Sequence, residues 1–274
     1  MEKENEEKKK KRKFVGPQFS IGTITAEMPF AWFSMEEVEE DENEEQEVTI
    51  LPNRYSTGTP DFDRILGGGI PKSHAVLLKT VSCNEKDTLL CHLIQKNIEN
   101  KTVIVVSERV NPYLEQFLEK NNFYMILAGQ SAASHQKVIS SDMGPTSVNL
   151  SIARALMKTG ADEKILIFNV LSQLILRDTV SSVLQFLNTL ISKAKGRKMS
   201  VIATLNPKMH EESDTNLLND TFDAHIEIVS REIEKDGMLK LKKFLVIKKM
   251  PQVSYKEGLH EITICNHTLQ IGEK

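Results

Sequence analysis

"LLKTVSCNEKDTLLCHLI", residues 77–94, decides how this chain is read. An apolar run ends at Thr80, a polar stretch containing Lys86 follows, and apolar residues then recur at helical spacing, giving the order strand, short loop, helix. A phosphate-cradling loop is built in that order, with backbone N–H groups and a lysine turned toward the anion. Such a loop uses glycine where the backbone takes a positive φ or approaches an oxygen closely. None is present here, so the stretch predicts the frame of an anion site with its cradle altered.

The segments around it repeat the strand and helix alternation. "HAVLLKT" (74–80), "TVIVVSE" (102–108), "KILIFNV" (164–170) and "MSVIATL" (199–205) are short apolar runs, as expected of strands covered on both faces in a parallel sheet. Between them, "DTLLCHLIQKNIEN", "NPYLEQFLEKNN", "SVNLSIARALMKTG" and "DTVSSVLQFLNTLISKAK" read as helices. In the last, Val180, Val183, Leu184, Leu187, Leu190 and Ile191 form one apolar stripe. The pattern predicts an α/β fold, a mostly parallel central sheet flanked by helices with right-handed crossovers.

The rhythm changes near the end. "AHIEIVSREIEKDGMLKLKKFLVIKKM" predicts two strands joined by a turn at Lys235, Asp236 and Gly237, and "HEITICNHTLQI" a further pair around Asn266 and His267. These place antiparallel strands at the C-terminal edge. The five lysines of "KLKKFLVIKK" (240–249) predict a solvated face or a subunit edge. Gly129 to Ser147 and His210 to Thr215 read as mobile loops at strand ends, suited to partner contact. No internal repeat is visible, and residues 49–274 read as a single domain.

Upstream of the opening stretch lies "YSTGTPDFDRILGGGIPKSHAVLL", residues 55–78. Ser56 or Thr57 begins a turn, Phe62, Ile65 and Leu66 share one apolar face, and Gly67 to Gly69 stop the short helix. This segment resembles the one that leads into the P-loop in the KaiC and RadA group of RecA-like ATPases, which includes the KaiC-like subunit of the archaeal flagellar motor. The resemblance extends over about residues 50–274. It implies a RecA-like P-loop NTPase fold, ATP and magnesium as ligands, and assembly into dimers or hexamers.

The same resemblance exposes departures. Aligned on Lys86, the pattern G-x-x-x-x-G-K-[ST] falls on Thr80, Glu85, Lys86 and Asp87, followed by Thr88, so the lysine alone persists. A glutamate forced into a left-handed conformation costs about 1–2 kcal/mol. Its carboxylate at about 4 Å from a phosphate charge costs about 4 kcal/mol at an effective dielectric near 20, roughly a thousandfold in affinity. Asp87 stands where a hydroxyl holds magnesium, and Asn169 where the Walker B aspartate stands. In "KKMPQVSY" the Lys-x-Arg that reaches a neighbouring subunit's nucleotide becomes Lys249, Met250, Pro251.

Other positions match. Glu108 aligns with the glutamate that activates water, with Arg109 in place of its companion acid, and Thr204 with a polar sensor at a strand end. The site residues are therefore Lys86, Asp87, Thr88 and Lys249 as vestigial cofactor ligands and Glu108, Asn169 and Thr204 as vestigial catalytic groups. Lys86, flanked by Glu85 and Asp87, is expected to fill the former phosphate position from within, and Glu108 to pair with Arg109 or face solvent.

Charge is strongly segregated within a formal net of −3. Residues 1–13 hold seven bases and four acids, and residues 36–47 nine acids and no base, leaving 28 bases and 24 acids from residue 49 onward. Residues 1–48 read as a disordered charged arm. Within it "MPFAWFSM", residues 28–35, carries the only tryptophan and reads as a docking peptide, for its own domain or for a partner. Cys83, Cys91 and Cys265 form no metal or disulfide pattern, and Cys91 and Cys265 are expected to be buried. No apolar run reaches membrane-spanning length and no secretory signal is present, which places the protein in the cytoplasm.

The expected function is that of a non-catalytic pseudo-ATPase of KaiC/RecA type, a regulatory or scaffolding subunit that requires no cofactor and contacts a protein partner, either a KaiC-like homologue or itself. A divergent ATP-binding switch or ATPase subunit is the alternative. A body charge of +4 without interleaved aromatics speaks against nucleic acid.

Overall fold

Asp63 is the residue around which the leading segment folds. β1 (Arg54–Tyr55) pairs antiparallel with β2 (Ile70–Pro71), and α1 (Pro60–Ile65) lies between them. The Asp63 carboxylate is buried and accepts bonds from Ser56 Oγ at 2.5 Å and from the Thr57 amide at 2.7 Å. Burial raises its pKa, and the bonds from Ser56 and Thr57 pull against that rise. Ser-Thr-Gly and Asp63 are thus one closed turn. Gly69 leaves it at φ 100°, where a side chain would collide with the Tyr55 carbonyl oxygen.

The structure, a computed structural model, describes residues 49–130, 135–160, 163–235, 238–251, 254–265 and 268–272. The arm at 1–48 with its 28–35 peptide, the Asp236 and Gly237 positions and the Asn266 and His267 positions lie outside the described residues.

From β2 the chain enters β3 (Ala75–Thr80), α2 (Cys83–Asn97), β4 (Thr102–Ser107), α3 (Pro112–Glu115), β5 (Phe123–Ala128) and β6 (Val138–Ser141). α4 (Pro145–Met157), β7 (Lys164–Phe168), α5 (Leu171–Arg177), α6 (Val180–Gly196), β8 (Met199–Leu205) and α7 (Glu212–Thr221) follow. β9 (Ala224–Lys235), β10 (Met238–Lys249), β11 (His260–Cys265) and β12 (Thr268–Gly272) close the described chain. The main sheet has the spatial order β6, β5, β4, β7, β8, β3, β9, β10, β11, β12. β3 to β9 run parallel and the last three strands antiparallel.

Two apolar layers hold the sheet. α1, α2 and α3 cover one face through Phe62, Leu89, Leu93 and Leu114; α4 to α7 cover the other through Val148, Leu174, Leu187 and Leu218. The central strands are buried along both faces, which is why they read as continuous apolar runs rather than alternating ones. β10 is instead buried only towards its middle, at Phe244, Leu245 and Ile247, and exposed at both ends.

Several expectations are corrected. Of the helix expected at 111–122 only four residues form, capped by the Asn111 side chain on the Leu114 amide, because β5 must begin at Phe123. The loop expected at 129–147 contains β6 and the start of α4. β6 pairs with β5 alone, and an edge strand with one partner tolerates the polar "VISS" that hid it. The loop expected at 210–215 is entered by α7 from Glu212. Cys265 is exposed at the end of β11, and Cys91 is half-buried.

Candidate functional site

In a parallel sheet, ligands are bound beyond the C-terminal ends of the strands. The turn that leaves β3 there has two residues, Val81 and Ser82, before α2 starts at Cys83. This corrects the expected polar loop: Lys86 is the fourth residue of a helix, and Glu85, the third, has no positive φ. The left-handed strain anticipated at Glu85 is absent. A long loop would offer a ring of free N–H groups; here only the first turn of a helix leaves such groups unsatisfied.

One of those groups, the Glu85 N–H, already has a carboxylate as partner. Glu85 is 7% exposed and accepts from its own backbone N–H, from Ser82 Oγ and from Lys243 Nζ, which arrives from β10 on the same side of the sheet. Lys243 also donates to Ser82 Oγ at 3.1 Å. Burial pushes the Glu85 pKa up, yet the bonds from Lys243 and Ser82 outweigh it and hold the carboxyl below its ordinary value. The start of α2 thus carries its own anion, Glu85, and the sheet supplies the counterion, Lys243.

Lys86 has other partners. Its ammonium donates to Asn169 Oδ1 at 3.1 Å and stands 3.4 Å from the Asp87 carboxylate. Thr204 Oγ1, at the end of β8, donates to the same Asn169 oxygen at 2.5 Å, and the Asn169 backbone N–H donates to the Val106 carbonyl at 2.9 Å. Four of the predicted residues, Lys86, Asp87, Asn169 and Thr204, therefore meet in one polar cluster where β3, β7 and β8 end. Of the two flanking acids expected to partner Lys86, Asp87 does so, while Glu85 pairs with Lys243.

The remaining candidates stand apart. Thr88 is half-buried on α2 and joins none of these bonds. Glu108 follows β4, half-buried; among the described residues it forms no ion pair with the exposed Arg109, whose carbonyl instead accepts from Ser107 Oγ at 3.0 Å. Lys249 lies six residues beyond Lys243 on β10, roughly 20 Å along the strand. It donates to the Phe222 carbonyl at 3.1 Å.

Beside the cluster runs a narrow, mainly apolar cleft lined by Asp87, Leu90, Cys91, Asn111, Leu114 and Asn169. It has room for about one water molecule. Burial, then the Asp87 charge, pushes the Cys91 thiol up to about 11, so it is a poor nucleophile. At the start of α2 a triphosphate would stand beside the Glu85 carboxylate, with Lys243 already engaged by it. The residues present do not fit ATP and magnesium in the manner the resemblance implies.

Sequence reasoning missed Ser82 and Lys243. The signal for the first was in plain view: Ser82-Cys-Asn-Glu85 has the S-x-x-E spacing that opens a helix. Lys243 carried no local signal, because its role depends on β10 lying two strands from β3.

Comparison with known proteins agrees with this architecture. Residues 126–228, β5 to the middle of β9, match the model of a family of unknown function, DUF7504. No curated protein matches the chain. Among solved structures, a KaiC-like protein from the hyperthermophilic archaeon Pyrococcus horikoshii OT3 superposes with a TM-score of 0.64 at 16% identity, covering 80% of this chain and 99% of that one. The chain shares the RecA-like α/β fold. Among the described residues no helix is long and apolar enough to cross a membrane, and no three His, Cys, Asp or Glu side chains are grouped to hold a metal.

Proposed function

We propose that this protein is a non-catalytic RecA/KaiC-like subunit, a pseudo-ATPase of the cytoplasm that regulates or scaffolds through protein contacts, with a KaiC-like homologue or another copy of itself as partner. The observation that supports this reading is the Glu85 carboxylate, held by Lys243 and Ser82 where an ATPase of this fold receives phosphate. Phosphoryl transfer depends on positioning and neutralising the phosphates. A site whose lysines are already paired with Glu85 and Asp87 leaves Glu108 nothing to activate water against. The test is a titration of the full chain with a fluorescent ATP analogue and magnesium. No saturation up to about 1 mM is expected; a Kd below about 100 μM overturns the reading.

One observation favours a second reading. Lys86, Asn169 and Thr204 still converge at the strand ends, as the polar groups of a divergent ATP-binding switch would. Saturable binding only in the presence of a KaiC-like partner would select it.

A further inference from the structure

The last two long strands outrun the sheet. β9 is paired with β3 only as far as Ile228, and β10 with β11 only from Lys243 to Leu245. Yet β9 and β10 continue to pair with each other out to Lys235 and Met238. Residues 229–235 and 238–242 therefore form a two-stranded ribbon whose outer edges are unpaired among the described residues.

Register sorts its side chains onto two faces. Glu232 stands opposite Leu241 and Glu234 opposite Leu239, so one face is acidic and apolar. Arg231 stands opposite Lys242, which is paired with Glu261 at 2.6 Å, and Ile233 opposite Lys240, with Met238 on the same side, so the other face is basic, through Arg231 and Lys240, and apolar. Leu239 is 72% exposed, Leu241 64% and Met238 58%. Natural sheets seldom leave bare edges and solvated leucines together unless something covers them.

We propose that this ribbon is a self-association surface: the glutamate and leucine face of one copy packs on the arginine, lysine and methionine face of a second. Charge identifies the occupant. Both faces carry apolar side chains and each carries the charge sign that the other lacks, so a second copy satisfies both. Because the two faces differ, the contact is head-to-tail and propagates into a ring or an open filament. Three exposed apolar side chains per copy make a small interface, which sets a weak association of about 10–100 μM that fades with added salt. The inference deepens the scaffolding reading and rests on it, but it is read by mass and not by nucleotide, so either can fail without the other.

The experiment is sedimentation equilibrium of the full chain over a range of concentrations, without nucleotide, with circular dichroism to establish that each variant is folded. Glu232→Lys with Glu234→Lys, and separately Arg231→Glu with Lys240→Glu, should each weaken association at least about tenfold. An equimolar mixture of the two variants should associate again, since each restored contact pairs opposite signs. A full chain that stays monomeric at about 200 μM, or association indifferent to both double variants, overturns the proposal. Loss in only one of the two double variants overturns the head-to-tail contact, which needs both faces.

Discussion

Lys243 on β10 and Glu85 on α2, 158 residues apart in the chain, form an ion pair across the end of β3. The carboxylate side chain is 9% exposed and the lysine 32%, so the pair is largely withdrawn from water on the acidic side. Such a pair stabilises less by existing than it destabilises by being broken. The exit of β3 is therefore coupled to the antiparallel half of the sheet.

Removing only the cation should show this. Lys243→Met leaves Glu85 with Ser82 and a backbone amide, and should lower unfolding stability by about 2–3 kcal/mol. Neutralising both, with Glu85→Gln added, should recover at least half of that loss. Urea denaturation of the wild type, the two single variants and the double variant gives the coupling; simple additivity would show that the pair is energetically idle.

Acid should act in two stages. Burial disfavours the charged imidazole of His225 and of His210 and lowers both pKa values, so their contribution is complete above the unfolded value near 6.5 and is lost as pH falls through the lower folded values. Glu85 and Asp223 are also depressed: burial raises both, but Lys243 and Ser82 outweigh it at the first, and the Ala75 amide and Lys195 at the second. Their contribution is present above about pH 4 and lost below it. Asp63, raised by burial, works in the opposite sense and blunts the second stage. Thermal melts from pH 7.5 to 3 should show a shallow decline and then a steep one. His225→Gln should flatten the first and Glu85→Gln the second.

Lys86 is predicted to matter for folding. Lys86→Ala removes one of the two bonds on the Asn169 oxygen and the nearest cation to Asp87, which should cost about 0.5–1.5 kcal/mol. The ATP titration should be unchanged. A tenfold loss of nucleotide affinity with unaltered stability would instead mark Lys86 as a ligand.

Gly69→Ala should be among the most damaging single substitutions in the leading segment. At φ 100° alanine is strained, and its Cβ would strike the Tyr55 carbonyl oxygen that β1 presents. A loss of about 2–3 kcal/mol is expected, read as a drop in Tm, while Gly196→Ala, with open space around its Cβ position, should be tolerated.

Much of the fold was legible because buried parallel strands announce themselves. "HAVLLKT", "TVIVVSE", "KILIFNV" and "MSVIATL" all became strands within two residues of their expected limits. β6 was not legible, since its residues suit an edge that one neighbour suffices to hold. At the site, alignment on Lys86 found the right neighbourhood and brought out Asn169 and Thr204. It assumed a loop where Ser82 and Glu85 start a helix. The helix start was readable from four consecutive residues; the lysine that neutralises it was not, because strand order is a property of the whole chain.

The place of β3 in that order has a consequence for how the molecule is made. Its two neighbours, β8 and β9, begin more than 110 residues later, so during synthesis the strand leaving "GGGIP" must wait, apolar on both sides, until most of the polypeptide has emerged. A ribosome-bound chain halted before Met199 would expose that unpaired strand to chaperones and to other nascent chains. Maturation of the sheet is a late event, governed by its C-terminal third.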